Sequence, residues 1–367
     1  MQESPAIDTS CLVNRDGFVT QAKDGRTVRG FGRAMKSETA KIDVDAPKAP
    51  KRFVFVLLDS FTLLSFASAV ECLRIANRMA EAELYSWALT GDTEDIITCS
   101  NGVRFHVDFP LGELNREDVV IVCGGVDIQK AATKKMLNWL RREARRGLRM
   151  GGLCTASYVL AKAGLLDGKR ATIHWENHDA FLEEFDEVQL TKSVFVIDGN
   201  RMTTAGGTSS IDLMLNIIAD DHGEKLANAV ADQQIYSSIR TDQDTQRLSV
   251  PTRIGVRHPK LSQVIQMMEA NIEDPISPSI LAREVGMSTR QLERLFRRYL
   301  SRSPKRYYME LRLQKARNLL MQTDMTVINV ALACGFASPS HFSKCYRAHY
   351  NTTPYRERGA HTSRLSV

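Results

Sequence analysis

The chain of 367 residues is poor in cysteine, with seven in all. Cys11, Cys72, Cys99, Cys123, Cys154, Cys334 and Cys345 are scattered, odd in number and nowhere at CxxC spacing. That argues against a disulfide framework and a zinc site, and fits a reducing cytoplasm. Long apolar runs are also missing. No stretch reaches transmembrane length, and the start lacks the pattern of a secretory signal. The expectation is a cytoplasmic protein with no membrane partner, no metal and no cofactor. Residues 1–50 lack sustained periodicity and are polar, dotted with Gly and charge, which predicts a disordered extension.

What is present is a repeat near the C-terminus. Leu281-Ala282-Arg283-Glu284-Val285-Gly286-Met287-Ser288 is echoed by Val330-Ala331-Leu332-Ala333-Cys334-Gly335-Phe336, then Ser338. Leu292, Arg294 and Phe296 in the first copy correspond to Phe342, Lys344 and Tyr346 in the second. Each copy reads as a short helix, a turn at Gly and a longer helix with a basic outer face. That is the layout of a helix-turn-helix, whose second helix enters the major groove.

Local signals agree. Ser277-Pro278, Ser303-Pro304 and Ser338-Pro339 each place an N-cap before a first-turn Pro. Ser288 and Gln291 stand at capping-box spacing, and Thr326 can cap the short helix of the second unit. Gly286 and Gly335 suit left-handed helix ends. The helix opening at Ser303-Pro304 runs to about Leu320, and Tyr308, Leu311, Ala316 and Leu319 are expected to fix the spacing of the two units. Charge is segregated as well. Between His258 and Arg358 there are 16 Lys and Arg against 8 Asp and Glu, an excess of +8, whereas the whole chain is +6 and the remainder therefore −2. A basic excess confined to the helix pairs is the footprint of phosphate contact.

Residues 258–358 resemble the DNA-binding domain of AraC-family transcription regulators, most specifically from Gly335-Phe336 through Ser338, Ser340, Phe342, Lys344 and Tyr346 to Thr353-Pro354-Tyr355-Arg356. The family usually has Arg at Lys344 and often Phe at Tyr346. The resemblance implies that exposed residues of the two longer helices touch double-stranded DNA: Arg290, Glu293 and Arg294 in the first, Ser338, Pro339, Ser340 and Lys344 in the second. Arg is the usual guanine reader and Glu can accept from cytosine. Pro339 cannot donate, and Lys344 suits a phosphate.

Residues 51–222 alternate apolar strand runs with helical patterns. Strands are expected at Phe53–Leu58, Ser86–Leu89, Val119–Cys123, Arg149–Leu153, Ala171–Ile173, Ser193–Ile197 and Met202–Thr204. Helices are expected at Leu63–Met79, Gln129–Arg146 and Ser209–Asp220. The predicted fold class is α/β: a flavodoxin-like, mostly parallel sheet sandwich followed by an all-α double helix-turn-helix domain. Residues 223–257 read as a connecting helix and linker, and 359–367 as a tail.

Gly151-Gly152-Leu153-Cys154-Thr155-Ala156-Ser157 has the shape of a nucleophile elbow, and the helix start predicts a lowered thiol pKa. This elbow resembles that of PfpI-like and class I glutamine-amidotransferase-like domains. Together with the AraC-type domain it resembles the GlxA-type subgroup of regulators, on Gly124-Gly125, Gly164-Leu165-Leu166-Asp167-Gly168, Ala171-Thr172-Ile173-His174-Trp175 and Thr204-Ala205-Gly206-Gly207. The resemblance departs from both catalytic patterns. Thr155 stands where PfpI-type peptidases have His, Ser65 where enzymes of this fold often carry an acid, and His174-Trp175-Glu176 lies only 20 residues after Cys154.

Accordingly no catalytic residue is assigned, and the crevice at the strand ends is read as a ligand pocket. Ser65, Phe66, Gly125, Cys154, Thr155, His174 and Trp175 are its candidate lining. The stretch Phe66–Arg78 resembles glycine-betaine-type regulators. The implied effector is a small nitrogen compound such as a betaine, carnitine or an amino acid, whose catabolic genes the protein activates. RNA polymerase and a second copy of the chain, as a homodimer, are the expected protein partners. The competing reading is a cysteine hydrolase or amidotransferase-like enzyme that uses Cys154 and carries an accessory DNA-binding domain.

Overall fold

A computed structural model describes residues 42–44, 49–92, 96–246, 255 and 258–363. Apolar runs such as Phe53–Leu58 need cover on both faces, which a parallel sheet between two helix layers supplies. The strands are β1 (Lys51–Leu57), β2 (Tyr85–Gly91), β3 (Ile96–Thr98), β4 (Arg104–His106), β5 (Phe109–Pro110), β6 (Val119–Cys123), β7 (Arg149–Leu153), β8 (Arg170–Ala171), β9 (Gln189–Leu190), β10 (Phe195–Asp198) and β11 (Arg201–Thr204). Seven of them form one sheet in the order β10-β11-β7-β6-β1-β2-β5, parallel except for β10. From β1 the chain goes to β2 on one side, while β6 and β7 lie on the other. The strand order therefore reverses beside β1, and the crevice above that switch point is where such sheets take ligands.

The helices of this domain are α1 (Leu63–Ala80), α2 (Ile128–Ala131), α3 (Lys134–Arg145), α4 (Ser157–Lys162), α5 (His178–Glu184), α6 (Ser209–His222) and α7 (Glu224–Gln233). Period-two alternation decides which layer each strand residue meets. Phe53, Phe55 and Leu57 pack with Leu73, Met214 and Leu226 from α1, α6 and α7. Val54 and Val56 pack with Trp139, Leu140 and Leu160 from α3 and α4.

Several expectations shift. The helix foreseen over Gln129–Arg146 is broken, because Thr133 leaves helical geometry and its hydroxyl caps α3 by accepting from Met136 N at 3.1 Å. The strand foreseen at Ala171–Ile173 is instead the two-residue β8, paired with β9 outside the main sheet. The expected extension lies mostly outside the described residues. Ile42, however, is buried against α1, where its N–H reaches Met79 O at 3.0 Å. The first half of the expected connector is docked rather than free. Arg240 pairs with the fully buried Asp212 at 2.7 Å, and Gln246 Nε2 donates to Thr172 Oγ1 and Ile173 O, both at 2.9 Å. Most of the second half, 247–254 with Pro251, lies outside the described residues.

The C-terminal domain is all helical: α8 (Pro259–Ala270), α9 (Pro278–Glu284), α10 (Thr289–Leu300), α11 (Pro304–Gln322), α12 (Val327–Ala333), α13 (Pro339–Tyr350) and α14 (Pro354–Ser363). The last of these enters the segment expected to be a tail. Caps at Ser277, Ser303, Thr326 and Ser338 are formed, and Ser288 with Gln291 closes a full capping box. Two cores result. Leu281, Leu292 and Phe296 pack with Tyr308 and Leu311 of α11, and Val330, Phe342 and Tyr346 pack with Ala316 and Leu319 of the same helix.

The two turn glycines are not equivalent. Both have left-handed φ, +62° at Gly286 and +71° at Gly335. A Cβ at Gly286 would meet only the tip of Lys260 at 3.8 Å, but one at Gly335 would stand 2.6 Å from the carbonyl oxygens of Ile272 and Glu273. Gly286→Ala should therefore cost about 1–2 kcal/mol, the left-handed penalty alone. Gly335→Ala should cost clearly more, since backbone must move. Urea unfolding of both variants checks this; equal midpoints would contradict it.

Candidate DNA interface and ligand crevice

In α10, Leu292, Leu295 and Phe296 are buried, which turns Arg290, Glu293 and Arg294 to solvent. In α13, Phe342 and Tyr346 are buried, and Ser338, Pro339, Ser340 and Lys344 are exposed. Ser338 is also occupied as a cap, accepting from His341 N at 3.3 Å. Arg297, Arg298 and Arg347 share the exposed basic faces and were absent from the expected contact set. Arg312 holds the second unit to the long helix. Its guanidinium donates to Cys334 O at 2.7 Å and Gly335 O at 2.5 Å, and lies 4.1 Å from the Phe336 ring centroid. The orphan carbonyls at the end of α12 are thereby satisfied by a side chain of α11.

The second site is a crevice of about 400 Å³ above the ends of β1, β6 and β7. Thr62 follows β1, the stretch Gly125–Gln129 follows β6, and Cys154 and Thr155 follow β7. His174, Glu176, Asn177 and Gly207 close one side, and Met321 and Gln322 come from the end of α11. Of the expected lining, Gly125, Cys154, Thr155 and His174 are therefore brought together. Ser65 stands behind the wall, accepting from Gly207 N at 2.7 Å. Phe66 is in the core, edge-on to Phe55, Phe61 and Phe105. Trp175 lies beside His174, with ring centroids 5.7 Å apart, and remains partly exposed. The contribution of α11 had no signal in the sequence, because the nearest crevice residue in the chain, Gly207, is more than a hundred positions away.

The elbow forms as expected in shape. Cys154 has φ +62°, uncommon for a residue with a Cβ. The neighbouring loop accommodates it through Gly206, where a Cβ would fall 2.5 Å from that of Cys154. The electrostatics are opposite to expectation. Burial pushes the Cys154 thiol above its ordinary value, and the contacts from Thr62 Oγ1, at 3.7 Å, and from the Thr155 backbone only partly offset this. His174 is displaced the other way. Burial lowers its pKa despite Glu176, whose Oε2 is 3.9 Å from Nδ1, so the ring is neutral at pH 7. Neutral thiol and neutral imidazole do not constitute an activated pair. No cluster of three His, Cys, Asp or Glu suited to a metal occurs among the described residues.

Residues 281–360 match the family model of a helix-turn-helix domain, and residues 51–220 that of the DJ-1/PfpI family. The HTH-type transcriptional regulator GbdR of Pseudomonas aeruginosa is 46% identical over 309 residues, covering 84% of this chain and 84% of that one. The HTH-type transcriptional regulator CdhR of the same species is 47% identical over 306 residues, 83% of this chain and 91% of that one. The HTH-type transcriptional regulator GlxA of Rhizobium meliloti is 36% identical over 305 residues, 83% and 94% of the two chains. This chain belongs to that family. It is a DNA-binding regulator of the AraC type, with a DJ-1/PfpI-type domain ahead of its two helix-turn-helix units. Among the regulator's described residues no helix is long and apolar enough to cross a membrane.

The thiol makes a direct check possible. An ordinary cysteine ionises near pH ~8.5, and a thiol activated at a helix start would ionise lower. In the regulator, alkylation of Cys154 by iodoacetamide, followed by peptide mass spectrometry, should keep accelerating beyond that pH. A plateau below neutrality would contradict the burial argument.

Proposed function

We propose that the regulator senses a small cationic or zwitterionic nitrogen compound, of the betaine, carnitine or amino-acid class, and activates genes for its catabolism. The carrying observation is the charge of the crevice. Asp127 and Glu176 line it, no Lys or Arg appears among its described lining residues, and His174 is neutral. A negative, partly enclosed site favours a positive ligand and disfavours a dicarboxylate. The raised thiol, with no acid at Ser65, supports holding a ligand without transforming it. The regulator acts in the cytoplasm as a homodimer and engages RNA polymerase at its promoters.

Base reading is assigned to Arg290 and Arg294, with Glu293 accepting from cytosine and Lys344 on a phosphate; Ser338, Pro339 and Ser340 line the groove. Two helix pairs on one rigid domain suit major-groove faces about one turn apart, roughly 34 Å.

Calorimetric titration of the full chain should show binding of glycine betaine or carnitine and none of succinate. Succinate binding with both zwitterions silent would overturn the ligand class. Cys154→Ala should keep metabolite-dependent transcription from its promoter. If that response vanished while the folded variant still bound operator, the hydrolase reading would gain. Arg294→Ala should weaken operator binding by about 1–3 kcal/mol and non-specific binding by less. Equal losses in gel-shift titrations would make Arg294 a phosphate contact.

A further inference from the structure

The crevice has walls from both domains. Met321 and Gln322, the last two residues of α11, line it opposite the Cys154 elbow. The approach is fastened by a hydrogen bond across the domains: Gln129 Nε2, from α2, donates to Gln322 O at 2.8 Å. Beside it, Ala180 of α5 is buried in the same apolar cluster as Leu313, Ala316 and Leu320 of α11. The Oε1 of Gln322 is buried and has no hydrogen-bond partner among the described residues. A buried acceptor left unpaired costs about 1–3 kcal/mol, and a turn of the Gln322 side chain that brought it to the crevice would let a ligand donor offset that cost.

We propose that Met321 and Gln322 form part of the ligand seat itself, so that the bound molecule touches the helix carrying both DNA readers and is sensed by direct contact across the domain boundary. This rests on the reading of the crevice as the effector site. It adds a ligand preference: a compound with an N–H or O–H donor reaching Gln322 Oε1 is held better than its fully methylated analogue. It also names the coupling element, because any ligand that strengthens contact with Met321 and Gln322 favours the conformation in which α11 is docked on the sheet domain. A signal passed only through the connecting chain would need neither residue.

The test uses the full chain and follows Cys154, which lines the crevice opposite that wall. If α11 covers the crevice, Gln129→Ala and Met321→Ala should each accelerate alkylation of Cys154 by iodoacetamide about fivefold or more, the factor set by losing one neutral hydrogen bond in the first and about two buried methylene groups' worth of apolar contact in the second. Gln314→Ala, at an exposed position of the same helix, should leave the rate unchanged. Rates equal to wild type in both crevice variants, with circular dichroism showing intact folds, would overturn the shared wall whatever the ligand proves to be. Separately, glycine betaine, dimethylglycine and carnitine should slow Cys154 labelling in the wild type, and dimethylglycine, which keeps an N–H, should lose more protection in Gln322→Ala than glycine betaine does. Failure of all three to protect the wild type while the variants still accelerate labelling would refute the ligand class and leave the wall standing. Protection undiminished in both Met321→Ala and Gln322→Ala would show that the ligand does not touch α11.

Discussion

Every working part of the regulator depends on one helix, Pro304–Gln322, being buried by three different partners along its length. Tyr308 and Leu311 belong to the core of the first helix-turn-helix unit; Leu313, Ala316 and Leu319 belong to the core of the second. A helix with a single apolar stripe serves one core. This one spreads its apolar residues around the axis and exchanges partners after about two turns. It thereby becomes a ruler that fixes where the two readers stand. Tyr308 ties the early turns to the first unit through its hydroxyl on Asn271 O, and Arg312 ties the middle to the second through Cys334 O and Gly335 O. The spacing of the readers is a property of one rigid rod, and a groove-reading domain needs exactly that kind of rigidity, since a misplaced pair cannot reach adjacent faces of the duplex.

The sheet domain sets the elbow geometry of a thiol nucleophile in surroundings that raise the thiol's pKa. Parallel strands β1, β6 and β7 end side by side, and the loops that leave them come so close that side chains are excluded: a Cβ at Gly125 would lie 2.1 Å from Ser60 O. The tight turn lifts Cys154 into the crevice in the geometry that thiol chemistry would need. What differs is the environment. Burial outweighs the favourable dipole at the helix start, and the residue in the place of an orienting acid is Ser65, engaged by Gly207 N. Elbow geometry and thiol activation are therefore separate properties in this fold, and burial sets the second.

Local chemistry made much of this legible in the sequence. The caps at Ser277, Ser288, Ser303, Thr326 and Ser338 and the left-handed glycines at 286 and 335 are set by interactions within a few residues, and the strands Val119–Cys123 and Arg149–Leu153 announce themselves by short apolar runs even though their partners are distant in the chain. Less legible were features settled by tertiary contact. Thr133 interrupts a strongly amphipathic run because it caps, Ala171–Ile173 loses its place in the sheet, and Ile42 packs against α1 from a stretch with no periodicity. Phe66 looked like pocket and is core because three aromatic rings surround it. The thiol shift was misjudged in sign, since desolvation depends on what packs around a residue in three dimensions, and the sequence near Cys154 does not report that.

The same contact bears on how large a regulatory signal this protein can carry. Coupling between a small-molecule site and a DNA site is typically about 1–3 kcal/mol, and it is reciprocal. One hydrogen bond from Gln129 and one apolar side chain at Met321 lie within that range, so no long relay through the protein is needed to account for it. Reciprocity then gives the arrangement a consequence on the DNA side. If operator contact shifts α11 relative to the sheet domain, it alters the seat by the same free energy that the ligand spends on the helix. A ligand held only by the sheet domain would feel DNA only indirectly, through the connecting chain or the docking of the two domains. One held between the domains binds with different affinity on and off the operator whenever operator contact moves that wall, because the wall is the rod to which both readers are fixed.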